Sequence, residues 1–107
     1  MFTRIVELTT KPGKNRELQD TVSDKVLQIL KKQKGFVDEM VLVSDKEDNR
    51  ILGLSFWNTK EDAEQYHRAE YPKIQGILQP LLAGDPVIRT FDVQTSTTHR
   101  ITAGKAA

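Results

Sequence analysis

From Phe2 to Thr10 the chain alternates: Phe2, Arg4, Val6 and Leu8 fall on one side, Thr3, Ile5, Glu7 and Thr9 on the other. That is the period of a β-strand. Lys11-Pro12-Gly13-Lys14 follows with turn chemistry. Leu18, Val22, Val26, Ile29 and Leu30 then recur at helical spacing among Lys, Gln and Asp, which predicts one amphipathic helix over residues 15–34. Glu17 and Asp20 early and Lys31, Lys32 and Lys34 late suit the helix dipole, and Gly35 suits the position just past the end.

Residues 36–44, rich in Val and Leu, read as a second strand, 45–49 as a polar hairpin loop and 50–57 as a third strand ending on Trp57, the sole tryptophan. Thr59 with Asp62 three residues on resembles a capping box, with Asp in place of the preferred Glu or Gln. It predicts a helix over about 60–69. Pro72 disfavours helical geometry at Tyr71. Helical spacing resumes with Ile74, Ile77, Leu78, Leu81 and Leu82, kinked or cut short by Pro80. Gly84-Asp85-Pro86 is a turn and 87–93 the last strand. The order β-α-β-β-α-β is the split βαβ of ferredoxin-like α+β folds, with both helices on one face of a four-stranded antiparallel sheet. One domain over residues 1–95 and a C-terminal tail over 96–107, mostly Thr, Ser, Ala, Gly and basic residues, complete the division.

The strands are apolar on both sides. Phe36, Met40 and Leu42 oppose Val37, Val41 and Val43; Leu52, Leu54 and Phe56 oppose Ile51 and Trp57; Ile88 opposes Val87, Phe91 and Val93. Two helices cover one face only. An apolar face left wet forgoes several kcal/mol at roughly 25 cal/mol per Å², and such a patch marks an interface. The simplest cover is a second copy packed sheet on sheet, a homodimer through the sheet face; the competing cover is a ligand pocket closed by the tail.

Composition narrows the function classes. The 107 residues make one domain, and 29% charged residues with a net charge of +1 lack the basic excess of a nucleic-acid module. Apolar runs are too short for a membrane span, and the N-terminus lacks the layout of a signal peptide, so a cytoplasmic protein is the expectation. With no cysteine there is no disulfide framework or thiolate metal site. No metal motif, phosphate loop or dinucleotide fingerprint is present.

Lys11-Pro-Gly-Lys14, Lys34-Gly-Phe36, Phe56-Trp57-Asn58, Lys60-Glu-Asp62, Tyr66, Leu81-Leu82 and Pro86 stand in an order and spacing that resemble an antibiotic biosynthesis monooxygenase (ABM) domain of the dimeric α+β barrel superfamily, over about residues 2–94. The resemblance implies a homodimer whose sheets form a barrel, with a pocket between sheet and helices in each subunit. It implies oxidation of quinols or polycyclic phenols by dioxygen with no metal or flavin, or haem degradation, although superfamily membership is a poor guide to reaction. Haem degraders of this kind pair a first-strand Asn with a helix Trp and a later axial His. Here Val6 or Glu7, Tyr66 and the region of Gly76 stand near those places, which argues against haem.

The candidate site residues cluster near residues 57–71, with Arg89 apart on the last strand. His67 is the best acid–base candidate, because an imidazole pKa of about 6.5 suits proton removal at neutral pH. Tyr66 is its catalytic companion, a pocket wall, or a core residue with a satisfied hydroxyl. Trp57 either stacks on an aromatic substrate or anchors the sheet edge. Asn58 either orients a substrate hydroxyl or serves the turn before Thr59. Tyr71 either lines a pocket mouth or packs half-exposed. Arg89, expected on a covered face, either pairs with a substrate oxyanion or with a protein carboxylate. His99 has no nearby helper in sequence and receives no role. The leading expectation is a cofactor-independent monooxygenase for a small phenolic or quinol substrate. The alternatives are a non-catalytic homodimeric protein that binds a small aromatic ligand in the same pocket, and a dimerisation module with no ligand.

Overall fold

The structure, a computed structural model, describes residues 1–99. Its elements are β1 (Phe2–Thr9), α1 (Asn15–Thr21), a π-helical turn (Val22–Val26), α2 (Leu27–Leu30), β2 (Phe36–Val43), β3 (Arg50–Trp57), α3 (Lys60–Ala69), α4 (Tyr71–Leu78), a 3₁₀ turn (Gln79–Leu81) and β4 (Val87–Asp92). The strands form one antiparallel sheet in the order β2-β3-β1-β4, the expected ferredoxin-like α+β arrangement.

The helical spacing over Leu18–Leu30 holds, but the helix ends at Leu30 rather than at residue 34. A π turn inside it lets Leu18, Val22, Val26 and Leu30 all face the core. Gly35 sits at φ +80°, and a Cβ there would run into the Asp62 carboxyl. Its carbonyl accepts from the Asn58 N–H (2.8 Å), so the residue before β2 is tied to the turn that opens α3. The Thr59 hydroxyl caps α3 by accepting from the Asp62 N–H (3.1 Å), as the capping pattern predicts. Tyr71, expected to be non-helical before Pro72, instead opens α4. The break falls one residue earlier, at Glu70, because Pro72 is tolerated in a first turn.

Register assigns the faces. Phe2, Arg4, Val6 and Leu8 pair with Trp57, Ser55, Gly53 and Ile51 on the helix-covered side, and Glu39, Val41 and Val43 continue that side onto β2. The alternation read along β2 needs one correction. A bulge between Phe36 and Asp38 returns Phe36 to the helix side beside Trp57, so it does not share a face with Met40 and Leu42. The core cluster lies between this face and the helices, with Leu18, Trp57 and Ala63 fully buried.

The opposite face carries Ile5, Leu52, Leu54, Phe56, Met40, Leu42, Val87 and Phe91. Of these Met40, Leu42, Val87 and Phe91 are exposed. Residues 93–99 cross one end of this face: the Val93 N–H donates to the Met1 carbonyl, His99 Nε2 lies 3.0 Å from Asp38 Oδ2, and the His99 ring is 5.7 Å from that of Phe56. His99 therefore has a partner that the sequence could not reveal, since Asp38 is 61 residues away. The rest of the expected tail, from residue 100, lies outside the described residues.

Gly35→Ala is expected to cost at least about 1–2 kcal/mol, the penalty for an L-residue in a left-handed conformation, and the clash with Asp62 adds to it. Urea unfolding of the variant measures this, and an unchanged midpoint contradicts it.

Candidate functional site

Arg4 lies in the middle of β1 with only 4% of its surface exposed. Strand alternation puts it there, because it shares a side with Phe2, Val6 and Leu8. A buried guanidinium is costly unless its charge is met. Among the described residues no carboxylate forms an ion pair with it. Aromatic faces and an imidazole stand in. The guanidinium carbon lies 5.2 Å from the ring centre of Tyr66 and 5.0 Å from that of Tyr71. Each such contact is worth about 0.5–2 kcal/mol. Nη2 donates to His67 Nδ1 at 2.9 Å. Burial lowers the Arg4 pKa, but an arginine starts so far above neutrality that the charge remains.

Three of the residues singled out in the sequence therefore converge on one that was not. Tyr66 is on α3, one turn after the buried Ala63, and its ring stacks on Trp57 with centroids 4.9 Å apart. Burial pushes the Tyr66 phenol up to about 12, against the pull of Arg4, so it remains a protonated hydrogen-bond donor. Tyr71 is pushed up for the same reason. His67, the next residue on α3, turns about 100° from Tyr66. It is exposed, and its ring stacks on that of Tyr71 at 5.1 Å. Because arginine only donates, Nδ1 is the acceptor and the proton sits on Nε2. Burial lowers the His67 pKa first, and the charges of Arg4 and Arg68 lower it further.

The other candidates lie elsewhere. Trp57 is wholly buried, its indole N–H donates to Ser55 Oγ at 2.9 Å, and its ring meets Phe36 edge-on. It supports Tyr66 from behind. Asn58 is an exposed residue in the turn before α3. Arg89 is exposed on the open side of β4, paired with Ile5 in the sheet.

Two hollows meet at Arg4. One, of about 60 Å³, lies between sheet and helices; apolar side chains of β1, the first helix and α4 wall it, and Arg4, Glu39, Ser55, Tyr66 and Tyr71 are also among its lining residues. The other, of about 270 Å³, opens between α3 and the β1–β4 edge and is lined by Phe2, Arg4, Lys60, His67, Arg68 and Thr90 among others. Arg4 and Glu39 are the residues that sequence reasoning misses. The signal for Arg4 is its place in the apolar stripe of β1; a cation on that stripe calls for a reason. Among the described residues, no cluster of three or more His, Cys, Asp or Glu is placed to hold a metal ion.

Comparison with known proteins bears on the family and the fold. The model of the family described as antibiotic biosynthesis monooxygenase matches residues 1–73. A monooxygenase from the gene ActVA-Orf6 of Streptomyces coelicolor, solved with nanaomycin D, superposes with a TM-score of 0.77 at 15% identity, covering 89% of this chain and 88% of that one. SnoaB, a cofactor-independent oxygenase from Streptomyces nogalater, gives 0.74 at 14% identity, over 92% and 97%. NE2512, a protein of unknown function from Nitrosomonas europaea, gives 0.76 at 15%, over 96% and 95%. At these identities the likeness shows the fold. No curated protein matches the chain.

The His67 ring should titrate below 6.5. Because the fold disfavours its protonation, the contribution to stability is full above that pH and falls as pH drops through the lowered value. Arg4→Met should raise the titration part of the way only, since burial, the larger cause, stays. NMR titration of the ring protons measures both, and a wild-type value at or above 6.5 contradicts the expected direction.

Proposed function

The chain belongs to the antibiotic biosynthesis monooxygenase family, and on that premise we propose that it oxidises a small phenolic or quinol substrate with dioxygen, without metal or flavin. The observation that carries this reading is Arg4: a buried cation that no carboxylate neutralises, at the edge of an apolar hollow walled by Tyr66 and Tyr71. A site of that kind binds an oxyanion and lowers the pKa of a hydroxyl placed on it. The cofactor-independent oxygenase SnoaB and the nanaomycin D complex among the similar folds lend support.

The chemistry needs a phenolate, because the deprotonated ring is the electron donor to dioxygen. A substrate hydroxyl docked on Arg4 competes for the guanidinium N–H now given to His67, and the freed Nδ1 takes the proton. A hydroxyl on that guanidinium comes within a hydrogen bond, or one water, of the same nitrogen. His67 then passes the proton to solvent, to which it is exposed. The phenolate gives up electrons to dioxygen. One oxygen atom ends as a ring carbonyl and the other as water, and the phenol supplies all four electrons in becoming a quinone. Tyr66, held protonated by burial and steadied by Trp57, donates to the substrate oxygen, and Tyr71 walls the ring. The competing reading, a non-catalytic protein that holds an aromatic ligand, draws on the engagement of the Nδ1 lone pair with Arg4.

Oxygen-electrode assays over a panel of small phenols and quinols separate the two. An oxygenase predicts that His67→Gln lowers kcat about 10²-fold or more with affinity retained, and that wild-type activity falls as pH drops through the lowered His67 pKa. Ligand binding with no oxygen uptake, unaffected by His67→Gln, favours the binding protein.

We also propose that a second copy covers the open sheet face. Met40, Leu42, Val87 and Phe91 are each 43–50% exposed there, while the helices lie on the other side. A self-complementary two-fold contact covers such a face with no further element, and Arg89 then faces the partner. Sedimentation should give twice the 12.2 kDa chain mass, reduced to one by Phe91→Glu. A wild-type monomer at all concentrations contradicts this.

A further inference from the structure

Glu39 is the other charged group on the small hollow, and the chemistry assigned to Arg4 and His67 does not use it. It stands on β2 opposite Ser55, which in turn stands opposite Arg4 on β1, so the three form one row across the helix-covered face. With one strand between them, the backbones of Arg4 and Glu39 lie roughly 10 Å apart. Both side chains line the hollow, and no ion pair joins either of them to a protein group among the described residues.

The Glu39 carboxyl is oddly placed for a merely structural residue. Oε2 is buried and has no hydrogen-bond partner. Native proteins leave few such atoms, and each one asks for an occupant or a role. The bulge between Phe36 and Asp38 keeps Phe36 and Glu39 on the same helix-covered side, and bulges often re-aim a side chain next to a binding site. Burial, followed by the neighbouring Asp38 charge, raises the Glu39 pKa, with Lys31 pulling the other way.

Resting on the reading that this hollow takes the substrate, we propose that Glu39 is a specificity-determining residue: its buried oxygen accepts from a hydrogen-bond donor on the edge of the ring opposite the oxygen held by Arg4. The ligand class is then a single aromatic ring with an acidic hydroxyl at one edge and a hydroxyl or amine para to it. Size sets the single ring. A dry apolar cavity of about 150 Å³ takes up benzene, and this hollow, at about 60 Å³, takes one ring only with an edge in its mouth. A fused-ring system has no room between sheet and helices.

The test is calorimetric binding under nitrogen of hydroquinone, 4-aminophenol and 4-methylphenol. The last has nearly the size of the other two and lacks the far donor. Wild type should bind hydroquinone and 4-aminophenol about tenfold or more tighter than 4-methylphenol, the usual effect of a hydrogen bond to a charged group. Glu39→Leu should abolish that preference while keeping or improving 4-methylphenol binding. Glu39→Gln, which keeps an acceptor oxygen and the side-chain shape, should retain part of it. Equal affinity for all three in wild type, or a preference that survives Glu39→Leu, overturns the role of Glu39 and leaves the oxygenase reading standing. Binding of none of the three overturns both. The expected preference without any oxygen uptake in air upholds Glu39 and overturns the oxygenase.

Discussion

One buried charge organises this molecule. Arg4 occupies a core position on β1 and meets aromatic rings and an imidazole where a carboxylate would be the usual partner. Cation–π contacts and one hydrogen bond offset part of the desolvation of a guanidinium. They leave it with donors to spare and with positive potential in a low-dielectric pocket. Tyr66, Tyr71 and His67 surround this group. The phenols stay neutral through burial, and the imidazole stays neutral through burial and the adjacent cation.

The scaffold holds that arrangement with a few local devices. Trp57 is anchored through its indole N–H to Ser55 and backs the Tyr66 ring. The Thr59 cap sets where α3 begins, and so which of its residues face the sheet. The positive φ of Gly35 brings the start of β2 against the start of α3. The bulge that follows lets Phe36 pack on Trp57 while Glu39 still faces the helices. Core packing and polar geometry are thus the same contacts viewed from two sides. A substitution at Trp57 would disturb the site by moving Tyr66, without any touch on a ligand.

Periodicity and turn chemistry make the order of elements, the Thr59 cap and the surplus of apolar strand positions legible in the amino-acid sequence, but the first helix stops at Leu30, short of the ending at Gly35 that they predict. They fail where geometry departs from regular repeats. The β2 bulge shifts parity by one residue, and no local signal around Val37 announces it. The π turn at Val22–Val26 keeps the apolar spacing of a plain helix, so the pattern cannot show it. Of the site, the local cluster on α3 and Tyr71 is readable because it is contiguous in sequence. Arg4 and Glu39 are not, because their meaning depends on a pairing through Ser55 that joins β1, β2 and β3. The His99–Asp38 contact is hidden for the same reason, being set by the path of the chain across the sheet.

The central claim is that Arg4 is an oxyanion site at the edge of an apolar hollow. Its most direct test is a spectrophotometric titration with 3-nitrophenol, whose phenolate form is coloured and which sets no acceptor opposite its hydroxyl, at a pH where the free compound is mostly neutral. An oxyanion site at Arg4 predicts that wild type binds it and that the phenolate band grows on binding, whereas Arg4→Met either fails to bind it or binds it colourless. Binding of the neutral phenol by wild type, or an equal phenolate signal from Arg4→Met, would contradict that claim.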